Sequence, residues 1–450
     1  MTSALTNLLA FVAAISILVA VHEFGHYIVG RWAGMKVLRF SIGFGKPIWM
    51  RVAGKDSTEY CIASIPLGGY VRFLDSREGP VGPADEGRAF NQRPIPHRIA
   101  VLLAGPAFNF LFAILAYWLL FAGGVTVLRP AVGEIEPGSY ADRAGLAFGD
   151  KIIAVNDELV PDWEAALVAM LETMVVDGRV PLTLEDEQGG QRRAVIDVGD
   201  DKTRLTEPGL LFDGLGFDVW QPPAIVGTIS GDGAAAGAGL LPGDRITAID
   251  GEPIVTFTDL VSVVAPRPGQ DVVVEYTRAG ISFDVTLRLG EQETDGVARG
   301  VLGVTLPSTF TDYYARRSFT PLQSLGEAAA KTWNTSIFTV TMLGRMVTGD
   351  VSVKNISGPI NIAQFAGESA QRGASYFLGF LAIISISLGV LNLLPVPVLD
   401  GGQIVYQLAE MVKGSPLTER AQIIGQQVGI LALLLLMSFA FYNDIARILS

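Results

Sequence analysis

The sequence predicts a multi-pass α-helical membrane protein with four transmembrane helices, a small β element beside the membrane, and two β-rich domains inserted between the second and third spans. Three observations predict it. Four long stretches of the 450-residue chain contain no Asp, Glu, Lys or Arg. Between the second and third of these lie the 187 residues from Gly124 to Phe310, which have an ordinary soluble composition. That segment repeats itself at a constant offset of 94 residues.

The uncharged stretches are Ser3–Val21, Ile99–Leu128, Gly373–Leu399 and Ala421–Asn443, of 19, 30, 27 and 23 residues. About 20 apolar residues cross a bilayer core as a helix, and core helices of soluble proteins seldom run uncharged for so long. Half of the chain is hydrophobic and the mean hydropathy is positive. The first stretch does not read as a secretory signal, because no Lys or Arg precedes Arg31. Residues 31–98 carry 11 Lys+Arg against 6 Asp+Glu, a net of +5. Basic loops stay cytoplasmic, so this segment is expected on that side. Residues 124–310, with 13 against 30 and a net of −17, are then expected on the outer side. An even number of spans places both termini there too. The lone cysteine, Cys61, excludes an intramolecular disulfide and a Cys-based structural zinc site.

After the first span, "SIGFGKPIWMR" and "STEYCIASIPLGGYVRF" mix aromatic and β-branched residues with glycines. Gly43, Gly45, Gly68 and Gly69 punctuate the expected strands. Asp75–Arg88 is polar and rich in Gly and Pro, and reads as a loop. Beyond the second span, Val132-Gly133 recurs as Val226-Gly227, Ala144-Gly145-Leu146 as Ala238-Gly239-Leu240, and Gly149-Asp150 as Gly243-Asp244. Ile152, Ala154 and Glu158 match Ile246, Ala248 and Glu252 without a gap. An ungapped register of this kind implies two copies of one domain. The shared pattern A-G-L-x-x-G-D-x-I resembles PDZ domains, which bind peptide C-termini by strand addition and hold the carboxylate on a loop of backbone N–H groups. Leu215-Gly216-Phe217 and Leu302-Gly303-Val304 are the candidate loops; both also read as plain strand residues. Residues 321–349 have helical composition with apolar residues on more than one face, and read as an interfacial helix, with a fifth span as the alternative.

The chemistry lies in "HEFGH". His22 and His26 are four apart, so a helix puts both on one face. H-E-x-x-H is a zinc signature in which the imidazoles ligate and the Glu, here Glu23, is the general base. Two of the three histidines in the chain stand here, at the end of the first expected span, where an unpartnered ionisable group costs on the order of 2–3 kcal/mol. His97, alone beside Arg98, reads as an interfacial residue. A hydrolytic zinc needs a third protein ligand, and an intramembrane carboxylate is the natural candidate. Asp400 lies in "LGVLNLLPVPVLDGGQIVYQL", where Pro395 and Pro397 interrupt the helix and Gly401-Gly402 loosen the backbone after the acid. Broken backbone at membrane depth lines a cavity or is buried in protein. Asn392 is placed to hydrogen-bond a substrate backbone. Taken alone, Asp400 also reads as a helix N-cap outside the membrane.

"HEFGH" in a first span, "NLLPVPVLDGG" in a late span and PDZ repeats between them resemble the site-two protease family of intramembrane zinc metalloproteases. "AGPAFNF" (Ala104–Phe110) matches the family as well. The resemblance implies one zinc held by His22, His26 and Asp400, with Glu23 activating the bound water. It implies that Asn392, Pro395 and Pro397 shape the substrate position. It also implies that the strands of Val37–Phe73 form a membrane-re-entrant β element clamping the substrate as an extended strand. Many relatives carry His after D-G-G, where this chain has Gln403.

The expected activity is hydrolysis of a peptide bond inside single-span membrane proteins of the anti-sigma-factor type, already trimmed by an upstream protease, in a bacterial inner membrane. The PDZ pair would exclude untrimmed substrates, and no nucleic-acid partner is expected. The expected boundaries are 1–30 (first span), 31–96 (β region and loop), 97–123 (second span), 124–220 and 221–308 (PDZ domains), 309–372 (amphipathic region), 373–403 (third span) and 421–443 (fourth span). Two other readings are a PDZ-bearing binding protein with a structural zinc, in which Glu23 has no task, and a metal transporter, for which the spans hold too few polar residues.

Overall fold

The computed structural model describes residues 2–186, 188–231, 233–294, 297–307, 310, 314–317 and 319–449. The chain divides into two compact units, residues 1–125 with 318–450, and residues 126–317. Four helical segments, Ala4–Trp32, Ile95–Ala122, Ala374–Leu393 and Glu419–Arg447, are long and apolar enough to cross a membrane.

The first unit begins with α1 (Thr2–Trp32), whose 31 residues span about 46 Å at 1.5 Å per residue. Next come β1 (Val37–Ala53) and β2 (Thr58–Phe73). These long, bent strands make a sheet four segments wide: Phe40 is registered against both Val71 and Tyr60, and Arg51 against Tyr60 from the far side. The segment 69–73 therefore lies at one edge and 47–53 at the other. Helix α2 (Ile95–Ala122) has Pro96 in its first turn, where N–H groups lack intrahelical partners. It packs tightly on α1, since a Cβ at Gly25 would overlap the Ala104 carbonyl. Small residues allow such backbone approach between helices in a bilayer.

The second unit holds the two repeats. The first contains β3 (Val125–Leu128), β4 (Val132–Ile135), α3 (Tyr140–Arg143), β5 (Lys151–Val155), β6 (Glu158–Leu159) and α4 (Trp163–Asp177). It continues through β7 (Arg179–Glu185), β8 (Gln191–Asp197), α5 (Lys202–Leu205), α6 (Leu210–Leu215) and β9 (Phe217–Val219). The second contains α7 (Ala234–Gly237), β10 (Arg245–Ile249), β11 (Glu252–Pro253), α8 (Phe257–Val264), β12 (Asp271–Arg278) and β13 (Ile281–Arg288), then β14 (Gly290–Thr294) and β15 (Val297–Val301). Strand β16 (Tyr314–Arg317) pairs with β3.

The sheets β6-β5-β7-β8 and β11-β10-β12-β13 have the same strand order. Each covers its own core, with Ile152, Met170, Leu182 and Leu215 in the first and Ile246, Ile249, Leu260 and Val274 in the second. The Gly-Asp of the repeat has a structural task. Asp150 accepts from the Ala147 N–H and pairs with Arg192; Asp244 accepts from the Leu241 N–H and pairs with Arg278. The copies diverge after the fourth strand, where the first has α5 and α6 and the second the β14–β15 hairpin.

The first unit resumes with α9 (Pro321–Thr348), α10 (Pro359–Arg372), α11 (Ala374–Leu393), α12 (Asp400–Lys413) and α13 (Glu419–Leu449). Helix α9 buries Ser324, Ala328 and Thr332, every fourth residue, and Ala328 joins Ala113, Ala116 and Tyr117 of α2 in one cluster. The amphipathic region expected over 309–372 thus holds two helices. The third span, expected to reach residue 403, stops as a helix at Leu393, because Pro395 and Pro397 cannot continue it. Asp444 of α13 accepts from the backbone N–H groups of Gly358, Ile360 and Asn361, which caps α10.

Candidate metal centre

Helix α1 delivers His22, Glu23 and His26 within two turns, with both imidazoles on one face. Their Nε2 atoms stand 3.2 Å apart. The carboxylate of Asp400 closes the triangle, its Oδ2 lying 3.2 Å from His22 Nε2 and 3.4 Å from His26 Nε2. Metal–ligand bonds of about 2.0–2.1 Å in a tetrahedron put neighbouring ligand atoms about 3.3 Å apart. The three side chains therefore fit the face of a tetrahedral zinc site, leaving the fourth corner for water. They are the one group of three or more His, Cys, Asp or Glu side chains with such spacing among the described residues.

The placement of Asp400 comes from the broken backbone before it. After Leu393 the chain turns through Val396 N–H to Leu394 O and Leu399 N–H to Val396 O, at 2.7 and 2.8 Å. Gln403 adds a side-chain bond from Nε2 to the Pro397 carbonyl, 2.7 Å. A Cβ at Gly401 or Gly402 would overlap the carbonyls of Leu393 and Val396, so these glycines let α12 start directly beneath the turn. Asp400 is the first residue of α12; its Oδ2 faces the imidazoles, and the cap position itself is Leu399.

The opposite wall is α2, at residues four apart. The Val101 carbonyl accepts from His26 Nδ1 at 2.8 Å. Asn109 Nδ2 lies 3.1 Å from His22 Nδ1. Between them Gly105 faces the rings, and a Cβ there would overlap His26 Nε2. Their i, i+4, i+8 spacing puts all three on one face of α2, but nothing in that stretch of sequence points to the histidines.

Glu23 is buried. Gly69 of β2 lies against it, with the site of a Cβ only 3.1 Å from Glu23 Cγ and 2.6 Å from the Ser41 carbonyl. Gly43, Gly45 and Gly68 adopt φ of +92°, +88° and +120°, which bends β1 and β2. Asn392 is half-buried near the end of α11, Pro397 is half-buried, and Pro395 is exposed on the turn. The candidate carboxylate loops lie in the other unit. Gly216 and Gly303 share φ near +80°, at +78° and +79°. Leu215, Phe217 and Leu302 are buried, and Val304 bridges to Ile229. The Gly216 N–H is taken up by the Phe212 carbonyl at the end of α6.

A buried His-Glu-x-x-His helix closed by a distant carboxylate, within a bundle of apolar helices, defines a membrane metalloprotease. The chain belongs to peptidase family M50, whose profile matches residues 10–436, and is a zinc metalloprotease of the site-two type. It is 40% identical to the regulator of sigma-E protease RseP of Escherichia coli K12, over the full length of both chains. It is 38% identical to the protease RseP of Yersinia pestis, again over both full lengths. A protein of Neisseria meningitidis described as a zinc metalloprotease is 42% identical, over 98% of this chain and 99% of its own.

Proposed function

We propose that this metalloprotease cuts within the bilayer, hydrolysing a peptide bond in the membrane-spanning segment of single-span proteins. His22, His26 and Asp400 hold one zinc ion and Glu23 is the general base. The carrying observation is the triangle of ligand atoms, 3.2, 3.2 and 3.4 Å on its edges, beside a buried Glu23 in the apolar helix α1. When bound, zinc lowers the pKa of a water towards 7 and polarises the scissile carbonyl. Glu23 takes the proton of the attacking water and delivers it to the leaving nitrogen.

A helical peptide bond has its carbonyl hydrogen-bonded, so the substrate unwinds before cleavage. The segment 69–73 has no strand partner on its outer edge among the described residues, and Gly69 lies against Glu23. An unwound substrate adds there as an extended strand, with the sheet entering the membrane from the side of the basic 31–98 segment. Gly43, Gly45 and Gly68 set its curvature. Asn392 makes no side-chain hydrogen bond among the described residues and is available to a substrate carbonyl, on a turn shaped by Pro395 and Pro397. The two repeats lie on the periplasmic side as a filter against substrates whose outer domain is intact. The sigma-E regulation in the names of the relatives supports an anti-sigma-type substrate, trimmed beforehand.

Cleavage of a tagged single-span reporter by the purified chain and by Glu23→Gln tests the reading. Loss of the general base lowers the rate by about 10²–10⁴-fold while zinc stays bound. Equal product from both proteins overturns it.

A further inference from the structure

The wall that α2 presents to the imidazoles does more than fill space. His26 donates from Nδ1 to the Val101 carbonyl, which accepts only. In the neutral ring that bond leaves Nε2 without a proton and turned towards Asp400. His22 has no carbonyl in the matching place. It has the side-chain amide of Asn109, one helical turn beyond Gly105 and two beyond Val101. Asn109 is fully buried, and α11 holds its backbone through Ser385 Oγ, which donates to the Asn109 carbonyl at 2.9 Å.

An amide offers either an acceptor or a donor to Nδ1. With the amide nitrogen towards the ring, Nδ1 must accept and the ring proton sits on Nε2, the atom that faces Asp400 Oδ2. Such an Nε2 cannot ligate. With the amide oxygen towards the ring, Nδ1–H donates and Nε2 is free. Either orientation leaves one amide atom of Asn109 buried without a partner, Oδ1 in the first and Nδ2 in the second, so the choice falls to the state of the His22 ring. Ligating histidines almost always donate their second ring nitrogen to such an acceptor, which fixes both tautomer and orientation.

We infer that Asn109 is a positioning residue of the metal centre: its amide oxygen accepts from His22 Nδ1–H and so presents Nε2 to zinc, as the Val101 carbonyl does for His26. The inference rests on the assignment of His22 as a ligand. Glu23 and the substrate are not involved, and the role ends at the imidazole.

Zinc affinity, measured by chelator competition on the purified full chain, tests it by comparing wild type with substituted proteins. Asn109→Leu fills the site but accepts no hydrogen bond, and lowers affinity about 10–100-fold. Asn109→Asp keeps an acceptor in place and holds within a few-fold of wild type. In the cobalt-substituted protein the d–d absorption bands shift for Asn109→Leu and not for Asn109→Asp. Ser385→Ala, which disturbs the same helix contact without touching the ring, leaves affinity unchanged. Wild-type affinity in Asn109→Leu overturns the inference, as does an equal loss in Asn109→Asp and Asn109→Leu, or a comparable loss in Ser385→Ala. Undiminished zinc binding by His22→Ala instead rejects the ligand set, and separates that failure from this one.

Discussion

Arg98, in the first turn of α2, grips Glu410, in the last turn of α12, through two hydrogen bonds. Nη2 to Oε1 is 2.7 Å and Nη1 to Oε2 is 3.1 Å. Arg98 is buried, at 7% exposure. The pair ties the helix that opens with Asp400 to the helix that backs both histidines, so it sets where the carboxylate stands relative to the imidazoles.

Removing one member strands a charge in a poorly solvated place. Arg98→Ala is expected to destabilise the chain by about 3 kcal/mol and to release zinc more readily. Exchange of the two residues, Arg98→Glu with Glu410→Arg, restores part of both. Thermal unfolding in detergent and zinc content after dialysis check the outcome.

Gly105 lies directly against both imidazoles of the candidate metal centre. Ala at a helix interior normally gains about 1 kcal/mol over Gly. Here the added methyl would overlap His26 Nε2, so Gly105→Ala moves the ring and costs about 10-fold or more in zinc affinity. Circular dichroism should show unchanged helix content, and elemental analysis a fall in zinc per chain.

The second repeat carries its own pH dependence. Burial pushes the Asp244 carboxyl up, but the Arg278 guanidinium and the Leu241 N–H outweigh it and hold the pKa below the usual carboxylate value. A depressed folded-state pKa stabilises above the unfolded value, about 3.9, and that contribution fades as pH falls through the folded value. Wild type therefore loses stability in this repeat on acidification below about pH 4. Arg278→Gln is weaker at neutral pH and flatter through that window. Urea midpoints by pulse proteolysis between about pH 3 and 6 distinguish the two.

The apolar helices and the duplicated domain were legible because each rests on a dense local signal. An uncharged run of 19–30 residues and an ungapped repeat of 94 survive without any tertiary information. His22, Glu23 and His26 were legible for the same reason, being one helical turn. The end of α11 was less so. The unbroken apolar composition continues past Leu393, and only the two prolines mark the stop. Asn109 and Gly105 carried no chemistry on their own stretch of sequence. Their meaning comes from the crossing of α1 and α2, which puts residue 109 beside 22 and residue 101 beside 26. The same holds for Arg98 and Glu410, 312 residues apart.

The carboxylates of the duplicated Gly-Asp turn are neutralised from different directions. Asp150 meets Arg192 on β8, whereas Asp244 meets Arg278 on β12. By strand register Arg192 corresponds to Phe283 and Arg278 to Asp186, so neither cation has a counterpart in the sister copy. The halves are consequently not interchangeable piece by piece. A chimaera with β12 in place of β7 would crowd two guanidinium groups around one acid, and the reciprocal graft would leave Asp244 with none. Shuffling of parts between the twins is barred by charge, even though their four-stranded sheets share one strand order.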